Sequence, residues 1–553
     1  MANDIKSYNK RLEALKSERS TYFPLWRELS DYHLGHRGRF LTSDRNKGYK
    51  RNTKQINNTS RLAVRTLAGG MMSGITSPAR PWFRLSTADP EMREYQPVKE
   101  WLNRVQAVMY EVYSKSNTYN VLHQLYAELG TFGTGVVGVY DNFENVINCK
   151  QYTVGSYLLA MNGENQVDTF YREYEISVGQ CVKQFGFDAC SDTVQQQWKN
   201  GNTENWVKIV HVIEPNDDRD MMSPLARDKR FRSAYYEAGT KQDKFLRESG
   251  FDHFPIMSPR WEVVGEDVYG IDCPGITALG DTKSLQLGEM RKYQALDKVV
   301  NPPLQGPASM KNSGADQSLR GGEIAWTDGP TGGLRSIYDF RPDLNAMMSI
   351  NNESEARIKR AFYEDLFLMM TDSDRRQITA REVAEKHEEK LLMLGPVLER
   401  LHNELLNPLI DNTFYKLQSA GVLPIAPKEI QGKEMNIEYV SVLAQAQRMV
   451  AVGGLDRLGA YVGQLSSIWP EARFKFNATQ AVDEYAEALG TSPSVIRTDD
   501  EVSAMQQAEQ QQQAQVQAME QGMKMADAAK TVSETNTSGD NALAMMLQKA
   551  GLQ

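Results

Sequence analysis

The sequence predicts a mixed α+β fold, predominantly helical in its second half, and three observations carry that reading. Alternating apolar runs such as VVGVY and VDTFYREYEI fill residues 136–187 and return from Trp206 through HVIEP to FPIMSPRWEVV. Apolar residues at steps of three and four run through the first 35 residues, through Val98 to Leu129, and through most of the chain beyond Asp281. Proline, glycine and serine gather in one internal block, 301–341, between two helical runs.

Each element has its own signal. The N-terminal helical stretch offers Leu12, Leu15, Tyr22, Leu25 and Leu29 for burial, and the second offers Trp101, Leu102, Val105, Val108, Val112, Leu122 and Leu125. A further helix opens at Asp281 with Leu287, Met290, Leu296 and Val300 on one side. Asn301-Pro302-Pro303 ends it, because proline lacks a donor and restricts the residue before it. The turn-rich block with short strand-like pieces follows, and a helix after Pro342 then carries Leu344, Met347, Ile358, Phe362 and Leu366. Two helices around such a tip describe a projecting arm. The polar break TDSDRRQIT, Thr371 to Thr379, leads into a last long helix. Thr379 and Glu382 form a T-x-x-E capping box, in which each side chain satisfies the other's backbone amide. Leu391, Leu394, Leu398, Leu401, Leu405 and Leu409 trace one buried stripe, while REVAEKHEEK is charged nearly all round and reads as solvated. Pro396 and Pro408 interrupt the hydrogen-bond ladder but leave the stripe intact, which predicts bends and not termination.

Composition bounds the function. At 553 residues the chain is long enough for three or four cores, and no apolar run approaches the roughly 20 residues of a membrane helix. MANDIKSYNKRLEALKSER lacks the apolar centre of a secretory signal. Cys149, Cys181, Cys190 and Cys273 match neither a zinc spacing nor a dense disulfide framework, as expected of a reducing compartment. The formal charge of −8 is uneven: residues 1–65 hold 15 Lys and Arg against 6 Asp and Glu. That basic segment, with Phe40 and Tyr49 among its cations, fits a phosphate contact or a surface facing solvent or an acidic partner.

Several strings look like catalytic motifs but lack the context that the chemistry needs. Gly133, Gly135 and Gly138 spell GxGxxG, but a helix precedes and a strand follows, the reverse of the dinucleotide-binding order. A tight helix-to-strand turn is the better reading. GGMMSG lacks the lysine of a P-loop, and KHEEK around His387 lacks the second histidine of HExxH. His387 and His402, 15 residues apart on one helical stretch, are separated by about 22 Å. Asp217, Asp218 and Asp220 read as a polar turn more readily than as a cation site. The sequence therefore predicts no catalytic residue, no cofactor and no metal.

Three blocks carry a resemblance: TLAGGMMSGITSPARPWFRL at 66–85, SPRWEVVGEDVYGIDCPGITALGDTKSLQ at 258–286, and ITAREVAEKHEEKLLMLGPVLERLHNELLNPLI at 378–410. In sequence, order and spacing they resemble the portal proteins, or head-to-tail connectors, of short-tailed bacteriophages, across most of residues 1–490. The resemblance implies a fold of wing, stem, clip and crown. Residues 1–280 would be a mixed wing, 281–300 and 342–370 the stem helices, and 301–341 the clip. Residues 371–379 would be the tunnel loop, 380–420 the long kinked helix, and 421–498 the crown. Residues 499–553, rich in Gln and Met, would be a barrel-like helix or a disordered tail. Their heptad is weakened by Glu509 and Gln512 in central positions.

By the same resemblance Asp372, Ser373, Asp374, Arg375 and Arg376 would face a channel. Lys311, Asn312, Arg320 and Trp326 would meet the packaging motor and later the tail adaptor. The expected partners are further copies of the chain in a ring, usually of twelve, and double-stranded DNA bound without regard to sequence. Packaging terminase, tail adaptor and nozzle proteins, and major capsid and scaffolding proteins complete the set. The place would be a capsid vertex of the virion, after assembly in the host bacterial cytoplasm. A tail adaptor or other head-completion protein, or a packaging nuclease or ATPase, are the alternative readings.

Overall fold

A computed structural model of the chain describes residues 4–40, 54–87, 89, 92, 95–239, 244–302, 304–306, 324–326, 335–336, 342–369, 394–430, 435–439, 458–489 and helical residues between 502 and 524. Two compact units result, Met1–Ala451 and Val452–Gln553, where length alone suggested three or four. Several apolar clusters share the first unit instead of founding separate domains.

The N-terminal helical stretch is two helices, α1 (Ile5–Ser20) and α2 (Phe23–Tyr32). Asp4 caps α1 by accepting the Ser7 N–H at 2.8 Å, and Ile5, Tyr8, Leu12 and Leu15 are buried along one face. Helix α3 (Thr59–Gly74) precedes strand β1 (Phe83–Thr87). The expected single helix from Val98 to Leu129 is also two, α4 (Gln96–Lys115) and α5 (Thr118–Phe132). Asn117 explains the break: its amide accepts the Cys149 N–H at 2.9 Å and donates to the Cys149 carbonyl at 2.7 Å. A side chain that pairs with a strand backbone competes with the helix it interrupts.

Gly133 then ends α5 in the left-handed region, at φ 77°, with its N–H on the Leu129 carbonyl. A Cβ there would meet the Gly270 carbonyl oxygen at 3.1 Å, so the first glycine of GxGxxG is a helix terminator leading to β2 (Val136–Asn142). Strand β2 pairs with β3 (Val146–Tyr152), and β4 (Tyr157–Met161) and β5 (Val167–Ser177) follow. Helices α6 (Val178–Phe185) and α7 (Asp192–Lys199) are inserted before β6 (Trp206–Pro215). With β7 (Phe231–Glu237) and β8 (Arg247–Phe251), strands β4 to β8 make an antiparallel meander in sequence order. Strand β9 (Ile256–Met257) adds to the free edge of β2. Leu12 and Leu15 of α1 pack with Leu158, Val210 and Tyr236 of the meander in one cluster.

Helix α8 (Leu279–Val300) ends where Asn301 meets Pro302. The described residues of the turn-rich block form three short strands, β10 (Leu304–Gly306), β11 (Ile324–Trp326) and β12 (Arg335–Ser336), in the order β11-β10-β12. The helix expected after Pro342 is likewise two pieces, α9 (Leu344–Ala361) and α10 (Glu364–Met369). Tyr363, at φ 56°, separates them, and its ring lies 6.2 Å from that of Trp261. Aromatic packing there offsets the cost of a left-handed non-glycine residue.

The last long helix is seen from residue 394. Leu394, Leu398, Leu401, Leu405 and Leu409 are all buried in the largest cluster, beside Leu67 of α3 and Tyr113 of α4. Leu391 lies outside the described residues, as do Thr379, Glu382 and the charged first half. Pro396 sits in the first described turn, and Pro408 is the second residue of α11 (Asn407–Ser419). Between them His402–Leu406 is a π turn. Pro408 has no N–H for the Glu404 carbonyl, and the Asn407 N–H reaches five residues back to His402. The helix widens there and continues.

Strand β13 (Met435–Tyr439) returns to pair antiparallel with β1, Phe83 opposite Tyr439. In the second unit, a helix at 458–468 is followed by a 3₁₀ turn, Pro470–Lys475, and by α12 (Ala478–Leu489). Leu401 is fully buried on the leucine stripe. Leu401→Ala is expected to cost about 2–5 kcal/mol, read as a lower midpoint in thermal or urea unfolding.

Candidate functional site: an outward-facing helical hairpin and its anchor

Helices α8 and α9 pair through polar groups. Asn351 donates to Glu289 at 2.7 Å, and Lys292 meets the same carboxylate at 2.7 Å. Gly288 permits the approach, since a Cβ on it would collide with the Asn351 amide oxygen. At the base, Arg357 of α9 pairs with Asp281 of α8 at 2.9 Å. Gln286 accepts the backbone N–H groups of Ile56 and Asn57 at 2.6 and 2.8 Å, tying the hairpin to the segment before α3.

Leu285 and Ile358 are buried, but most of the large apolar side chains of this hairpin are not. Leu287, Met290, Leu296 and Val300, the side predicted from the sequence, are all exposed, and so are Tyr293 and Val299. Residues 291–300 are exposed nearly all round, with Ala295 the buried exception. Met348 and Ile350 continue the exposure on α9. A run of large apolar side chains exposed on a helix marks a surface that another chain covers.

An anchor at Arg260 precedes the hairpin in the chain. The Arg260 guanidinium, almost fully buried, reaches the Glu404 carboxylate at 2.6 Å, and its own backbone N–H donates to Glu404 at 2.8 Å. It also donates to the carbonyls of Asp267 and Asn165, each at 3.1 Å. The β9–α8 connection, the β4–β5 turn and the long helix therefore meet at one side chain. Two residues before Glu404, His402 stacks on Tyr439 with ring centres 3.9 Å apart, and the Tyr439 hydroxyl donates to the Asn407 amide oxygen. Burial pushes His402 down to about 4, so it is neutral in the fold at neutral pH.

Of the residues singled out in the sequence, Asp372, Ser373, Asp374, Arg375, Arg376, Lys311, Asn312 and Arg320 lie outside the described residues. Trp326 ends β11, paired with Gly306 of β10. Asp217, Asp218 and Asp220 fall in the connection between β6 and β7, where Asp220 accepts the Met222 N–H at 3.0 Å, as a polar turn does. No described helix is long and apolar enough to cross a membrane. Arg260 and Glu404 were missed by sequence reasoning. An arginine and a glutamate 144 residues apart leave no periodic signal.

A closed core that presents a polar-laced hairpin with its apolar side chains outward is the surface of an assembly subunit, a structural protein completed by other chains. The chain belongs to the family of bacteriophage head to tail connecting proteins, which it matches over residues 5–496. It is 44% identical to the portal protein of Salmonella phage epsilon15 over 544 residues, 98% of each chain. It is 45% identical to the probable portal protein of Bordetella phage BPP-1 over 534 residues, 96% of this chain and 95% of that one. Among solved structures, the neck of an empty GTA particle aligns with 83% of this chain and 97% of its own at 12% identity. The TM-score is 0.34, too low to bear on the fold.

Glu404→Ala leaves the buried Arg260 without its carboxylate and is expected to destabilise by roughly 3–5 kcal/mol. The double variant with Arg260→Met should recover part of that loss, and a double-mutant cycle on unfolding midpoints measures the coupling. His402 gives a pH dependence of defined sign. An ordinary histidine titrates near 6.5 and this one near 4, so its contribution is whole above pH 6.5 and is lost as pH falls toward 4. Melting temperatures between pH 7.5 and 5 should fall for the natural chain and fall less for His402→Gln.

Proposed function

We propose that copies of this chain, twelve by the usual number for such rings, close into a ring at one capsid vertex. Double-stranded DNA is packaged, and later ejected, through its centre. The role is that of a portal, structural and without a reaction of its own, in keeping with its relatives. The exposed apolar face of the α8–α9 hairpin carries this reading. Residues 281–300 and 342–370 serve as stem, and Tyr293, Leu296 and Val299 bury against the next copy. Residues 301–341, including Lys311, Asn312, Arg320 and Trp326, form the clip that holds the packaging terminase during filling and the tail adaptor and nozzle afterwards. Contacts with major capsid and scaffolding proteins fix the ring in the shell, assembled in the host cytoplasm.

Electrostatics favours passage. Each copy brings a formal charge of −8. A strongly basic wall holds DNA through counterion release, whereas an acidic or mixed wall keeps the duplex centred and moving. Asp372, Ser373, Asp374, Arg375 and Arg376 line the channel as a loop of mixed sign, in which the arginines make weak phosphate contacts.

Native mass spectrometry of the purified chain should give closed rings near twelve times 62.5 kDa. A chain that stays monomeric or dimeric at high concentration overturns the proposal. Tyr293→Ser with Leu296→Ser should abolish rings while shifting subunit stability by no more than about 0.5 kcal/mol. Arg375→Ala with Arg376→Ala should reduce DNA retention in filled heads and leave ring mass unchanged. Loss of rings in that variant assigns the arginines to contacts between subunits.

A further inference from the structure

Cys181 and Cys190 match no zinc spacing in the sequence, yet the fold brings them to one point with a third donor from far along the chain. Cys181 lies in α6, Cys190 precedes the N-cap of α7, and Glu237 ends β7. All three are buried, and one donor atom from each lies within 4.8 Å of the other two. The two Sγ atoms are 3.8 Å apart. With zinc–sulfur bonds of about 2.3 Å, the edge of a tetrahedron between two thiolates is also about 3.8 Å.

The surroundings are those of a ligand set held in place. Ser191 donates its N–H to one Glu237 oxygen at 2.8 Å and its hydroxyl to the other at 2.6 Å. Each carboxylate oxygen keeps a free lone pair, and such outer hydrogen bonds orient metal-binding carboxylates. Among the described residues no lysine or arginine forms an ion pair with Glu237, so the buried carboxylate stands beside two thiols with no described cation bonded to it. Two thiolates and a carboxylate exceed a divalent ion by one negative charge, and Lys244 is a nearby group of the opposite sign.

We propose that Cys181, Cys190 and Glu237 bind a thiophilic divalent metal ion, zinc being the best fit, with the fourth position left to water. Binding displaces the two thiol protons to solvent and forms two sulfur–metal bonds and one oxygen–metal bond, with no change of oxidation state. The ion joins the α6–α7 insertion to the end of β7 and stiffens that end of the meander. This inference is independent of the ring proposal.

The test uses the full chain, purified in a reducing buffer without chelator. Metal analysis should find one zinc per chain. Cobalt(II) exchanged into the site should give a thiolate-to-cobalt charge-transfer band and the visible bands of a tetrahedral ion. Cys190→Ser and Cys181→Ser should lose both signals while keeping the far-ultraviolet circular dichroism of the natural chain. Ser191→Ala should weaken zinc binding by roughly 10- to 100-fold. Where a cysteine variant fails to fold, thiol titration of the natural chain decides: zinc should protect two of the four thiols and a chelator should release them. Absence of zinc and of the cobalt band, with all thiols reacting alike, overturns the proposal. So does a mass lower by two hydrogens, which marks a Cys181–Cys190 disulfide.

Discussion

The contact of Arg260 with Glu404 is the constraint on which the rest of the first unit depends. A guanidinium has five donors in a rigid fork, and burying it is tolerable only when each direction finds an acceptor. Here the acceptors come from the β4–β5 turn, the connection after β9 and the long helix. The three segments must therefore arrive together, and only one mutual placement satisfies the charge. The π turn at His402–Leu406 belongs to the same solution. Pro408 removes a ladder donor, the helix widens, and Glu404 sits within that widened turn.

From this anchor the helix runs into the apolar cluster, and the leucine stripe takes over from charge. Leu398, Leu401, Leu405 and Leu409 pack among residues of α3, α4 and α5, which are hydrophobic on the faces turned to them. Lys416 closes the far end on Asp141, and Tyr415 stacks on His253 at 3.7 Å. The long helix thus packs first on the helical layer and then, at Tyr415 and Lys416, meets the β8–β9 connection and the end of β2.

The hairpin of α8 and α9 follows a different principle. Leu285 and Ile358 join its base to the apolar cluster, hydrogen bonds and ion pairs link its two helices, and Leu287, Met290, Tyr293, Leu296, Val299 and Val300 are left in water. In an isolated subunit that distribution wastes burial; in an assembly of identical copies it is what allows each subunit to fold first and associate afterwards. Polar pairing fixes the angle between the helices, and apolar area supplies the free energy of association. Membership of the head to tail connecting family fits that arrangement, because a connecting protein is a part that other proteins join.

Much of this was legible in the residues themselves. Strand alternation placed the meander, leucine spacing placed the stripe, and Asn301-Pro302 placed the end of α8, because each depends on neighbours within a turn or a pleat. The sense of Gly133 as a helix terminator was legible too, from what precedes and follows it. The apolar side of α8 was visible as a pattern, but its exposure was not, since periodicity marks a face without saying what covers it. The breaks at Asn117 and Tyr363 escaped, for they answer to Cys149 and Trp261, partners distant in sequence. The same holds for Arg260 with Glu404 and for the meeting of Cys181 and Cys190 with Glu237. Local structure obeys short-range sterics and hydrogen bonding, which the sequence states directly; buried charge and shared donors are satisfied only when remote segments meet, and that meeting is decided by the tertiary fold.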